Sequence, residues 1–145
     1  FEAGFDEVFV DHLAEMRMAL EPAAAAAAAQ NATSDELIEL YALAAKFDDP
    51  KHTPESIAKV DLDFHLAIAR MSGNPFMRSV SGLIEAALAI SFQLSSPAAS
   101  PEGIAECAAN HLRIAHAIAS RDRLKARAAM ESVITLGVER IRDAI

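Results

Sequence analysis

Asp61 and His65, four residues apart, and His111 far downstream are the residues of this sequence whose types and placement could do chemistry. One carboxylate and two imidazoles form a donor set that holds a divalent transition metal while leaving positions open for water or a ligand. The same groups could instead satisfy one another. An Asp–His hydrogen bond along a helix would serve both partners, and a lone inward histidine is more often a hydrogen-bonded core residue than a ligand.

The surrounding sequence turns all three inward. On a helical wheel over the Asp61 segment, Lys59, Asp63 and Arg70 gather on the solvent side. Ile57, Val60, Phe64, Ile68 and Met71 flank Asp61 and His65 on one side, and Leu62 and Ala69 on the other. An unpaired buried carboxylate costs roughly several kcal/mol, so Asp61 needs a cation, a set of donors or a metal. Around His111, Ile104, Cys107, Ala108, Ile114, Ala115 and Ile118 make an apolar face, with Glu102, Glu106 and Arg113 on the wet side. His116 falls at the edge of that face and outside the site, while His12 and His52 read as solvated surface. Cys107 reads as a small core hydrophobe that could line a pocket, and Tyr41 and the scattered Phe residues as core. Asn110 and Glu85 are weaker pocket candidates with no motif behind them.

The elements that must position these residues are helices. Apolar residues recur at helical spacing and strand alternation is nearly absent, which predicts an all-α antiparallel bundle of about six helices around a central polar cavity. The first helix is expected from about Phe5 to Ala29, kinked at Pro22. The second starts at Thr33, where Thr33-Ser34-Asp35-Glu36 has capping-box spacing, and ends before Asp48-Asp49-Pro50. Thr53-Pro54, Asn74-Pro75 and Ser100-Pro101 each place a capping oxygen before a proline at the first helical position, and so open three more. Gly73 closes the third helix, and a turn near Arg121-Asp122 makes an antiparallel hairpin of the last two.

Composition removes several functions. With 21 acidic against 13 basic residues the formal net charge is −8, which argues against direct contact with a nucleic-acid backbone. A lone cysteine excludes an internal disulfide and points to a cytoplasmic setting. The Ala-rich run from Pro22 to Ala29 is too short and weakly apolar to span a bilayer, so no membrane partner is expected. No ExxH motif occurs, which argues against a ferritin-like di-iron bundle. The chain opens at Phe1 with helix already in progress by residue 5, so residues 1–145 read as one domain of a longer protein whose N-terminal domain lies outside it.

Three ordered segments carry a resemblance. Arg17-Met18-Ala19-Leu20-Glu21-Pro22-Ala23-Ala24 looks like an R-x-x-L-E-P-x-A opening. Asp61-Leu62-Asp63-Phe64-His65 followed by Ser72-Gly73-Asn74-Pro75 looks like a D-x-x-F-H and S-G-N-P pair. His111, Ile114, Ala117, Ile118, Asp122, Ala126 and Met130 match the spacing of a third, C-terminal pattern. Together they resemble the FCD domain, the C-terminal effector-binding and dimerisation domain of the FadR branch of GntR-type bacterial transcription regulators. The resemblance implies a homodimeric, non-enzymatic sensor of a small organic acid that reaches DNA through a winged-helix domain absent from this chain. It places effector-binding roles on Arg17, Asp61, His65 and His111, with Arg17 forking onto the acid group. It also places a metal site, of zinc or nickel type, on Asp61, His65 and His111. The family's fourth ligand, a histidine on the closing helix, is replaced by Val133, so three protein ligands remain. The rival reading of the same residues is a metal-dependent helical-bundle enzyme with a 2-His-1-carboxylate site.

Overall fold

The computed structural model describes residues 3–144. Among them run α1 (Ala3–Asn31), α2 (Ser34–Ala45), α3 (Pro54–Met71), α4 (Pro75–Ser79) and α5 (Ser81–Leu94), then a 3-10 turn at Pro97–Ala99, α6 (Pro101–Ala119) and α7 (Arg123–Ala144), with no strand. The architecture is the expected all-α bundle. Its helix starts are set locally. The Thr33 hydroxyl accepts from the Glu36 N–H at 3.1 Å, and the Glu36 carboxylate accepts from the Thr33 N–H at 2.9 Å. Thr53 and Ser56 make the same reciprocal pair at α3. Asn74 caps α4 and Ser100 caps α6, each followed by its proline.

The expected single helix from Pro75 is instead two, divided at Val80. The division falls in Ser79-Val80-Ser81-Gly82, four residues of poor helix propensity, where the hydroxyls of Ser79 and Ser81 bond back to the carbonyls of Pro75 and Met77. Two backbone positions lie in the left-handed region. Gly73, at φ +71°, closes α3, and Arg121, at φ +61°, turns the chain from α6 into α7. At that turn the Asp122 N–H reaches back to the Ala117 carbonyl and the Arg121 N–H to that of Ile118, a Schellman closure with arginine where glycine is usual. α7 then folds back against α6 and lies along α1.

α1 and α7 are in extensive contact, and both bury small residues. Ala24, Ala25, Ala28 and Ala29 of α1 and Ala126 and Ala129 of α7 are buried, which lets the two backbones approach closely. Pro22 sits inside α1, buried, without ending the helix. Leu40, Phe47, Ile57, Phe64, Ile68, Ile114, Ile118, Met130 and Ile134 fill the centre, each side chain contributing about 1.5–3 kcal/mol of burial. No described helix is long and apolar enough to cross a membrane.

Candidate functional site

Among the described residues, six polar or charged side chains are buried in this apolar interior: Arg17, Glu21, Asp61, His65, Ser72 and His111. Ser72 belongs to the end of α3, where its hydroxyl donates to the Ala69 carbonyl at 2.6 Å. The other five form one contiguous cluster drawn from α1, α3 and α6. The three residues singled out for chemistry are thus brought together.

The cluster centres on the Asp61 carboxylate. His111 Nε2 lies 2.9 Å from Asp61 Oδ1, and His65 Nε2 lies 3.4 Å from the same oxygen. Each ring is held from its other nitrogen. His111 Nδ1 donates to the Cys107 carbonyl, 2.7 Å away and one turn back on α6. His65 Nδ1 lies 2.5 Å from Glu21 Oε1, and the other Glu21 oxygen accepts from Arg17 Nε at 2.5 Å. His111 is further fixed by Phe47, stacked on it at 4.0 Å between ring centroids, and by the edge of Phe64 at 5.1 Å.

The electrostatics follow from burial opposed by pairing. Burial alone would lower both histidines, but the Asp61 and Glu21 carboxylates outweigh it at His65 and the Asp61 carboxylate and Cys107 outweigh it at His111, so each ring is raised to about 9. Burial alone would raise the carboxyls, yet His65 and Arg17 hold Glu21 down at about 2. His65 and His111 hold Asp61 well below the usual carboxylate range.

The donor set also fits a divalent transition metal. His65 Nε2 and His111 Nε2 are buried without a well-directed hydrogen bond to the nearby Asp61 oxygen, and His65 Nδ1 and Glu21 Oε1 are likewise unsatisfied. One ligand atom from each of Asp61, His65 and His111 lies within 4.8 Å of the others. Ligands about 2.0–2.2 Å from a zinc ion are themselves roughly 3–4 Å apart, so a small contraction suffices. His111 Nδ1 is occupied by the Cys107 carbonyl and His65 Nδ1 lies beside the Glu21 carboxylate, which leaves Nε2 of each ring to face an ion, as in metal sites whose histidines are oriented from the outer nitrogen.

Beside the cluster lies a cavity of about 310 Å³, lined by Arg17, Asp61, His111, Asn110 and Val133 among others. His65 does not line it and stands behind Asp61. Arg17, given an effector-binding role by the resemblance, lines the cavity and is also tied to Glu21. Asn110 lines the cavity; Glu85 is exposed and does not. His12 is exposed as expected. His52 is half-buried instead, its ring bridging the Ser56 hydroxyl and the Lys46 carbonyl, so it staples the α2–α3 loop. His116 lies outside the cluster, 2.8 Å from the Tyr41 hydroxyl.

Two further residues belong to the site, neither given a role by the sequence. Glu21, named only as part of the R-x-x-L-E-P-x-A opening, pairs with Arg17 one turn away and also contacts His65 across the α1–α3 interface. Arg140 lines the cavity from α7, and its one signal was its place two turns after Val133 on the same helix.

Comparison with known proteins agrees with this fold. No curated protein matches the chain. Among solved structures, Streptococcus agalactiae GntR is similar with a TM-score of 0.74 and 25% identity, over 92% of this chain and 60% of that one. E. coli McbR/YncC is similar with a TM-score of 0.81 and 23% identity, over 92% of this chain and 64% of that one, a likeness of fold. The chain therefore spans less than two thirds of either protein. The profile of the FCD domain matches residues 12–136, a stretch that holds Arg17, Glu21, Asp61, His65, His111 and Val133, and the chain belongs to the FCD domain family.

Proposed function

We propose that this chain is the ligand-sensing domain of a GntR-type transcription regulator and that a small organic acid binds in the cavity beside Asp61 and His111. The observation that carries this reading is a buried guanidinium, Arg17, lining a cavity with a buried carboxylate–imidazole cluster in a chain of net charge −8. Guanidinium groups bind carboxylates in bidentate geometry, and a water-poor wall strengthens the contact. Asp61, His65 and His111 would hold a zinc- or nickel-type ion, which supplies a Lewis-acidic anchor for an acid oxygen. Because Val133 contributes no donor, the ligand shell is left open on the cavity side.

The effector would act by population shift. Cavity residues come from α1, α3, α5, α6 and α7, so a ligand touching several of them favours one packing of the helices over another. In this reading a second copy of the chain and an N-terminal DNA-binding domain, outside residues 1–145, convert that packing into a change in DNA contact in the cytoplasm.

A thermal-shift screen of organic acids, with and without chelator, tests it. An acid at a hundred times its dissociation constant stabilises by about 2.7 kcal/mol. That shift should vanish in Arg17→Met. Turnover of any acid would favour the metal-dependent enzyme reading instead, and an unchanged shift in Arg17→Met would remove Arg17 from the site.

A further inference from the structure

The wall of the cavity formed by α7 carries a second guanidinium. Arg140 and Val133 are two helical turns apart, so they share one face of α7, and both line the cavity with Gly137 between them. Arg140 is half-buried, and its Nε is shut off from solvent without a hydrogen-bond partner. Among the described residues it has no ion-pair partner either, although Glu106, Glu139 and Asp143 line the same cavity. Burial accordingly lowers its affinity for its own proton, a sign that the charge is poorly compensated.

The two guanidiniums of the cavity are thus in different states. Arg17 already spends Nε on Glu21, which in turn positions His65. At Arg140 the Nε has no such partner. A guanidinium nitrogen cut off from water and left unpaired is costly, and a ligand carboxylate that supplies two parallel hydrogen bonds offsets that cost as no apolar ligand group can. A ligand that meets Arg17, Asp61 and His111 on α1, α3 and α6 as well as Arg140 on α7 can do so with two acid groups, one for each guanidinium. The cavity's volume of about 310 Å³ is at the small end of ligand sites, which limits the spacer between the heads to a short chain.

We propose that Arg140 anchors the second acid group of the effector, so that the cavity takes a short-chain dicarboxylate with its other carboxylate at the Arg17–Asp61–His111 end. This rests on the reading of the cavity as the effector site and adds to it the ligand class and the anchoring residue.

The test compares succinate and glutarate with butyrate and with succinamate, in which one acid is capped as an amide, by calorimetric titration and melting of the wild-type chain and of Arg140→Met. A charge-assisted bidentate contact predicts that the wild type binds the dicarboxylates about ten-fold or more tighter than the capped acid. In Arg140→Met that ratio should fall to about one, and the ligand-free protein should melt no lower than wild type. A preserved ratio in Arg140→Met overturns the assignment. So does a marked drop in the melting temperature of the ligand-free variant, which would make Arg140 a structural strut. If wild type binds butyrate as tightly as succinate and Arg17→Met loses both, the dicarboxylate inference is wrong and the acid-sensor reading stands. If none of the four acids binds the wild type, both are wrong.

Discussion

Replacing Asp61 with asparagine keeps the side-chain shape and removes the charge on which His65 and His111 converge, at 3.4 and 2.9 Å. The size of the effect can be worked from the two rings. A rise from 6.5 to about 9 corresponds to about 3 kcal/mol per ring. The two do not add, because both depend on one carboxylate and Glu21 also supports His65. Breaking one partner out of a buried ion pair costs about 3–5 kcal/mol, so a loss of about 3 kcal/mol is expected at about pH 6. The sign with pH follows from linkage. A histidine raised on folding contributes stability that is complete below its unfolded value of 6.5 and is lost as pH rises through about 9. Asp61, lowered on folding, contributes above its unfolded value of 3.8 and loses that contribution as pH falls. Chelator-treated wild type should therefore be most stable between these two values and weaken steadily toward about pH 9, whereas Asp61→Asn should be less stable at the optimum and flatter above it. Denaturant unfolding followed by far-UV circular dichroism over a pH series measures both quantities. Equal stability of the two proteins at about pH 6, or parallel curves between pH 6.5 and about 9, would refute the electrostatic account of the cluster.

Two other perturbations probe the support of the site. Glu21→Gln removes the anion behind His65 Nδ1 and should weaken zinc binding about 10–100-fold, measured by competition with a chromophoric chelator; unchanged affinity would mean that Glu21 does not orient the ring. Gly103→Ala places a methyl group 2.4 Å from the Pro97 carbonyl oxygen, a backbone atom that cannot swing away. A loss of about 1–3 kcal/mol in thermal or denaturant melting is expected, and a neutral result would show that the 3-10 turn yields freely.

Much of the bundle could be read along the chain because its boundaries are local chemistry. The Thr33–Glu36 box and the capping residues before Pro54, Pro75 and Pro101 act within a few residues of themselves, so neighbouring helices have little say in them. The division at Val80 was missed because the apolar pattern continues across it, through Val80 to Ile84 and Leu88, while the break depends on weak propensity at Ser79–Gly82. The inward turn of Asp61, His65 and His111 was legible for the same reason as the caps. Helical periodicity alone decides which face of α3 and of α6 a residue occupies.

Periodicity is silent on what lies opposite. That Asp61 faces His111 across forty-nine intervening residues of chain, that Glu21 turns from an intrahelical partner of Arg17 into the acceptor behind His65, and that Phe47 stacks on His111 are consequences of how α1, the α2–α3 loop, α3 and α6 cross. Arg140 shows the limit most clearly: on α7 alone it is a long cationic side chain with acidic neighbours, and only the tertiary structure makes it an unpaired charge on a cavity wall. By itself the sequence determined the helices, their ends and their inward polar residues, since these follow from contacts within a turn or two. Their pairing, the cavity they enclose and the charge left uncompensated in it were decided by the approach of distant helices, because burial and Coulomb energy depend on distance through space rather than along the chain.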